Sequence, residues 1–301
     1  MKRCAFLTMD DTAGWSIDAD LAIPPMQALG WEIDTVPWRA AGVDWDRYDA
    51  VYIGTPWDYP QDVAHFISVL GEIDTSRAVL VNDLGLVRWG IPKTYLRDLE
   101  ARGADIVPSL WRERLAPGGI TVFFDALSSD QIVIKPVVST NATDTFLLDL
   151  DDAVNHEPEL LRTFAGREFV VQPFIENIRT EGEFSLFYFS GTYSHAIRKT
   201  PRQRDFRVQE EHGASIVAVE PEASLLECAD GILRLVEPLP VYARCDLVRG
   251  PDGRFLLMEL ELIEPSMYLR MHPDAPARFA SAFDRYVRDK TAPAAESLLR
   301  R

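Results

Sequence analysis

Cysteine is scarce: Cys4, Cys228 and Cys245 are the only three in 301 residues. They lie far apart, are odd in number and form no Cys-x-x-Cys. That excludes a disulfide framework or a zinc site and suits a reducing cytoplasm. No Gly-x-Gly-x-x-Gly occurs, so a dinucleotide role has no support. No apolar run is long enough to span a bilayer. The first residues pass straight into a strand pattern at Cys4–Thr8, with no charged-then-apolar targeting segment, and the expected compartment is the cytoplasm. Positive charge is in deficit: 31 Lys and Arg against 47 Asp and Glu leave a formal net charge of −16. Such acidity argues against nucleic acid and anionic membranes as partners, and an anionic substrate needs a local basic pocket. Internal repeats and low-complexity linkers are also lacking.

What is present is apolar material, 47% of the chain, enough to bury a real core. The length suits two or three packed subdomains. Up to about residue 80, strand signals alternate with helix signals, as in Cys4–Thr8, Glu32–Val36, Asp62–Ile73 and Ala78–Val81. That alternation predicts a parallel, doubly wound α/β sheet, whose ligands sit beyond the carboxyl ends of the strands. Asp10, Trp57, Asp58 and Tyr59 fall there and are substrate candidates.

The richest stretch is Val241–Ile263, VYARCDLVRGPDGRFLLMELELI. It reads as two strands around a type I′ turn at Asp252-Gly253. In that register Asp246 faces Glu259 and Arg244 faces Glu261, with all four on one face. Cys245, Leu247, Met258, Leu260 and Leu262 form the other, core-facing side. Carboxylates placed opposite each other repel. A hard cation such as Mg2+ resolves the conflict, and Arg244 beside it can hold a transferring phosphoryl group. Upstream, Gln131–Pro136 is an apolar strand ending in Lys135, for which a core has no structural use. Between Arg198 and Arg207 five of ten residues are basic, a local positive patch in an acidic chain.

Arg-x-Asp followed by Glu-x-Glu resembles the metal-binding end of the ATP-grasp ligases, the family of D-alanine–D-alanine ligase and glutathione synthetase. There the usual pattern is Arg-x-Asp … Glu-x-Asn, so Glu261 adds one negative charge. The resemblance extends along the chain in family order. It implies an ATP-grasp α/β fold with an N-terminal Rossmann-like domain over residues 1–90. Linker helices and the central subdomain would span 91–185, and the C-terminal subdomain with the metal site 186–301. It implies that Lys93, opening the helix Pro92–Ala101, and Lys135 grip ATP phosphates. Val171, Gln172, Phe174 and Ile175 would form the adenine hinge, with Glu183 on the ribose. Asp246, Glu259 and Glu261 would bind Mg2+, and Arg244, Arg198 and Arg207 would be catalytic. Lys199 and Ser266 would touch substrate. The segment expected to flap over the phosphates, Ser139–Thr145, contains no glycine.

The implied chemistry is carboxylate activation by Mg-ATP to an acyl phosphate, then attack by a nitrogen nucleophile. Thr55-Pro-Trp-Asp-Tyr59, Asp205-Phe-Arg-Val-Gln209 and Glu259-Leu-Glu-Leu-Ile-Glu-Pro265 are similar to the O-ureido-serine cyclo-ligases, which close the D-cycloserine ring intramolecularly. An intermolecular dipeptide- or glutathione-type ligase is the alternative, and a nucleotide-binding module without ligase activity is an alternative of another class. The partner expected is a small carboxylate or amine, and the family often forms homodimers.

Overall fold

The computed structural model describes residues 1–203 and 205–292. The first sheet contains β1 (Lys2–Thr8), β2 (Trp31–Pro37), β3 (Ala50–Thr55) and β4 (Val79–Val81), in the order β2-β1-β3-β4 with every pairing parallel. Its central strands β1 and β3 are largely buried on both faces because helices cover both, while the edge strand β2 leaves Glu32 and Thr35 exposed. The helix Val63–Thr75 starts where expected, with the Asp62 carboxylate accepting from the His65 amide. On the other face lies the last helix of the described chain, Ala275–Thr291, which places Phe279 and Phe283 against Trp31 and Tyr52.

The second sheet is antiparallel, β5-β8-β6-β7, built from β5 (Leu110–Arg112), β6 (Ile132–Pro136), β7 (Phe146–Leu148) and β8 (Phe169–Pro173). The third contains β9 (Glu183–Phe189), β10 (Thr192–Thr200), β11 (Ser215–Ala218), β12 (Tyr242–Arg249) and β13 (Phe255–Glu261), in the order β11-β10-β9-β12-β13. The expected subdomain limit at 185/186 falls inside β9, which pairs along its length with β10 and β12. Helix Ala223–Leu233 packs behind the β12–β13 hairpin. Among the described residues no helix is long and apolar enough to cross a membrane.

The β12–β13 register is Arg244 opposite Glu261 and Asp246 opposite Glu259, as expected, but by a different route. Only Gly253 of the Asp252-Gly253 pair has positive φ, so no type I′ turn forms there. Instead Gly250–Arg254 makes a wider loop, with the Gly253 amide bonded to the Gly250 carbonyl. That shifts the pairing by one residue, and a bulge opposite Asp246 and Leu247 shifts it back. The extra residue is Met258. It does not join Cys245, Leu247 and Leu260 in the core but packs with Ile175, Val208 and Val248 on the open side.

Asn82, at the carboxyl end of β4, joins the first sheet to the third. Its amide donates to the carbonyls of Tyr242 (2.9 Å) and Leu262 (2.8 Å), and its Oδ1 accepts from the Val241 amide (2.7 Å). It is 1% exposed. Asn82→Ala leaves three buried backbone groups unpaired and lowers stability by about 3 kcal/mol, each orphan costing roughly 1 kcal/mol or more. A denaturant melt of this variant within about 0.5 kcal/mol of the parent would show the three bonds to be dispensable.

Candidate functional site

The three sheets enclose one deep cleft, and charge gathers on its floor. Side-chain alternation decides which residues reach it. On β10 Lys199 points in while Arg198 points to the opposite face, packing its stem over Gly182. On β12 Arg244 and Asp246 point in, and on β13 so do Glu259 and Glu261. Gln172 on β8 and Val133 on β6 are paired and both face the cleft; the next pair, Val171 and Ile134, faces the second sheet's core.

The floor is a web of opposite charges. The Arg244 guanidinium forks onto Asp246, with Nε at 3.0 Å from Oδ1 and Nη2 at 2.8 Å from Oδ2, and also reaches Glu261. Its Nη1 donates to the Ser266 carbonyl (3.3 Å). Lys199 Nζ lies 2.9 Å from Glu183 and 3.5 Å from Asp246, and Lys93 Nζ lies 2.8 Å from Glu259. Lys93 also donates to the Ser139 carbonyl (2.8 Å), tying the floor to the flap. Lys135 lines the same wall, and burial lowers its pKa.

Environment splits the acids. Burial opposes ionisation of Asp246, but Arg244 and Lys199 outweigh it and hold the pKa to about 2. Burial also opposes ionisation of Glu259, where Lys93 and then Lys135 prevail and lower the pKa. Glu261 goes the other way: burial, Glu259 and Asp246 outweigh Arg244 and push it up to about 7. A carboxyl pKa raised in the fold stabilises while protonated and loses that contribution as pH rises toward 7. Stability therefore falls between about pH 5 and pH 8. Glu261→Gln should flatten that slope, with a higher melting temperature than the parent at pH 8. Parallel melting curves for the two across this window would overturn the charge conflict at Glu261.

Asp246, Glu259 and Glu261 share one face of the hairpin, and as hard oxygen donors they fit a divalent cation such as Mg2+. In their present pairs they turn toward Arg244 and Lys93. Among the described residues no three acid, imidazole or thiol side chains converge on one point. Above the floor, Val107, Val133, Phe174, Ile175, Val208 and Met258 line an apolar slot that can take a flat ring. Glu183 sits at its mouth, buried and paired with Lys199.

Trp57, Tyr59, Ser266 and Arg207 also line the cleft, joined by Trp15 and Tyr268. Trp57 packs against Trp15 with ring centroids 5.0 Å apart and planes tilted by 44°, and its Nε1 donates to the Glu264 carbonyl (2.8 Å). Thr140 of the flap donates to the Trp57 carbonyl (3.1 Å). The flap does approach the cleft, through Ser139, Thr140, Asn141, Ala142 and Thr145. Asn141, Ala142 and Asp144 adopt left-handed backbone there, a conformation glycine takes more cheaply.

Four expected residues lie elsewhere. Asp10 is exposed past the end of β1. The Asp58 carboxylate accepts from Trp38 Nε1 (2.7 Å) and from Arg39, which holds it in the first domain. Val171 and Arg198 are turned away by strand alternation. Trp15, Met258, Glu264 and Tyr268 line the cleft although sequence reasoning missed them. Only Glu264, one step beyond a Glu-x-Glu at the same strand end, carried a local signal.

The family described as the D-cycloserine synthetase DcsG N-terminal domain matches residues 4–82. The cycloserine biosynthesis protein DcsG of Streptomyces lavendulae is 30% identical over 293 residues, covering 89% of this chain and 94% of that protein. The crystal structure of D-cycloserine synthetase DcsG superposes with a TM-score of 0.83 at 28% identity, covering 95% of this chain and 99% of that one. D-alanine–D-alanine ligase from Bacillus anthracis shares the fold, with a TM-score of 0.67 at 14% identity over 96% of this chain and 100% of that one.

Proposed function

The chain belongs to the D-cycloserine synthetase family of ATP-grasp ligases, and from that membership we propose that it closes the ring of O-ureido-D-serine to give D-cycloserine. As a member it is an ATP-dependent ligase that forms a C–N bond. The observation that carries the substrate reading is 30% identity to a cycloserine biosynthesis protein across 89% of this chain.

In this reading the apolar slot around Met258 and Phe174 takes the adenine, with Gln172 at its edge and Glu183 on the ribose. Lys93 and Lys135 face the phosphates. Asp246, Glu259 and Glu261 hold Mg2+, whose chemistry is to neutralise phosphate charge and polarise the transferring group. The substrate carboxylate lies between Arg244 and Ser266. Its oxygen attacks the terminal phosphorus of ATP, ADP departs and an acyl phosphate forms. The ureido nitrogen bonded to oxygen then attacks the acyl carbon and loses its proton, phosphate leaves as the ring closes, and the carbamoyl group remaining on that nitrogen is lost with one water as ammonia and carbon dioxide. Arg244 opposes the charge that develops at both steps, and Arg207 and Lys199 reinforce it from β10 and the loop beyond. The protein's share is positioning and charge neutralisation.

The test is ADP release with Mg2+ and ATP over a panel of acids that includes O-ureido-D-serine, with and without hydroxylamine and with and without an added amine. Release with O-ureido-D-serine alone, and a hydroxamate when hydroxylamine is present, is the expected result. Release that requires a second amine would replace ring closure with intermolecular ligation.

A further inference from the structure

Among the described residues Glu264 is the buried acid of the cleft that the chain leaves without a base. It is 8% exposed and lines the cleft beside Trp57 and Ser266. Four other acids, buried or half-buried, are matched: Glu259 with Lys93, Glu183 with Lys199, and Asp246 and Glu261 with Arg244; the remaining acid of the lining, Glu211, is exposed to solvent. Among the described residues the Glu264 carboxylate enters no such pair. Burial and the neighbouring Glu261 push its carboxyl well above the ordinary range, against the pull of Lys93. A buried carboxylate in that position weakens the fold unless a cation arrives from outside the chain.

Its place is also fixed. Trp57 Nε1 donates to its main-chain carbonyl (2.8 Å), and the Tyr242 hydroxyl donates to the carbonyl of Ile263 (2.8 Å). Pro265 follows, with its own fixed φ. Such support is what a binding group needs and a solvated surface acid does not. Ser266, two residues on, has its carbonyl on Arg244 (3.3 Å), so Glu264 stands next to the phosphoryl-transfer end. In an α-amino acid the ammonium is one carbon from the carboxylate. If the carboxylate lies at Arg244, the ammonium must lie close by, where Glu264 offers the unmatched charge.

We propose that Glu264 binds the α-ammonium of the acid substrate and thereby restricts this ligase to amino acids. This deepens the ring-closure reading and rests on it only in placing a carboxylate beside Arg244. The discriminating feature is electrostatic: an analogue without the amino group leaves a buried carboxylate unpaired, and the site rejects it.

The experiment compares O-ureido-D-serine with its analogue lacking the α-amino group, and D-alanine with propionate, as substrates of the parent and of Glu264→Gln. ADP release is read at saturating ATP. The parent should prefer the amino member of a pair by at least about 100-fold in kcat/KM. In Glu264→Gln that preference should collapse to within about tenfold, mainly through KM for the amino acid. The Mg2+ concentration for half-maximal rate should not move, and the ligand-free melting temperature should hold or rise. An unchanged preference in the variant overturns the subsite. So does a shifted Mg2+ requirement, which makes Glu264 a metal ligand, or a drop of several degrees in melting temperature, which makes it structural. Loss of the preference on D-alanine, when O-ureido-D-serine is no substrate, sustains the subsite and sinks ring closure. Release with propionate and with no amino acid overturns the subsite. No release with any of the four acids overturns both readings.

Discussion

Replacing Asp246 with asparagine lowers ATP turnover by about 1000-fold, equivalent to about 4 kcal/mol of lost transition-state stabilisation. Two effects add. The substitution removes the cross-strand partner of Glu259, and with it one of the three oxygens proposed for Mg2+. It also removes the acid that aims Arg244, whose Nε and Nη2 lie 3.0 and 2.8 Å from Asp246 oxygens. Asparagine keeps the shape, so Ser185, which bonds Asp246 from β9, retains a partner. The backbone pairing of β12 with β9 and β13 is unaffected. The secondary structure by circular dichroism should match the parent while single-turnover ADP formation falls. Near-normal rates in Asp246→Asn would remove both the metal assignment and the positioning role.

Lys135→Met gives the second large effect, with opposite signs for activity and stability. Lys135 ends β6 on the cleft wall, and burial lowers its pKa because the charged form is poorly solvated there. Lysines 93 and 199 have carboxylates at 2.8 and 2.9 Å, whereas Lys135 takes part in no such pair among the described residues. In the proposed reaction its charge meets the ATP phosphates, so methionine should cut kcat/KM for ATP by about 100-fold. The same change removes a desolvated charge and leaves a fitting apolar stem. The variant should therefore melt at or above the parent temperature without ligand. A stability loss of several degrees together with intact ATP affinity would make Lys135 a structural residue.

Much of the site was legible before the fold was known. Arg244, Asp246, Glu259 and Glu261 could be placed on one face because strand side chains alternate with period two, whatever the strand packs against. Lys135 stood out because an apolar strand does not end in an inward lysine without reason. The hairpin also shows where such reading breaks down. The turn expected at Asp252-Gly253 is absent, and a bulge restores the predicted pairing. Nothing in the residues near Met258 announces that bulge, so a cleft residue read as core. Asn82, just past the carboxyl end of β4, is a buried clamp between sheets. Its partners, Tyr242 and Leu262, lie 160 and 180 residues away, and local pattern carries no information at that range.

By itself the sequence determined the alternation of strands and helices over about the first 80 residues, and the face on which Arg244, Asp246, Glu259 and Glu261 lie. Both follow from spacing along the chain. Only the tertiary structure decided which acid meets which base. Lys199 and not Arg198 enters the cleft, Asp58 is held by Arg39, and among the described residues Glu264 is left without an ion pair. Ion pairing falls off steeply with distance and depends on burial, and both are set by how three sheets from distant parts of the chain close on one another.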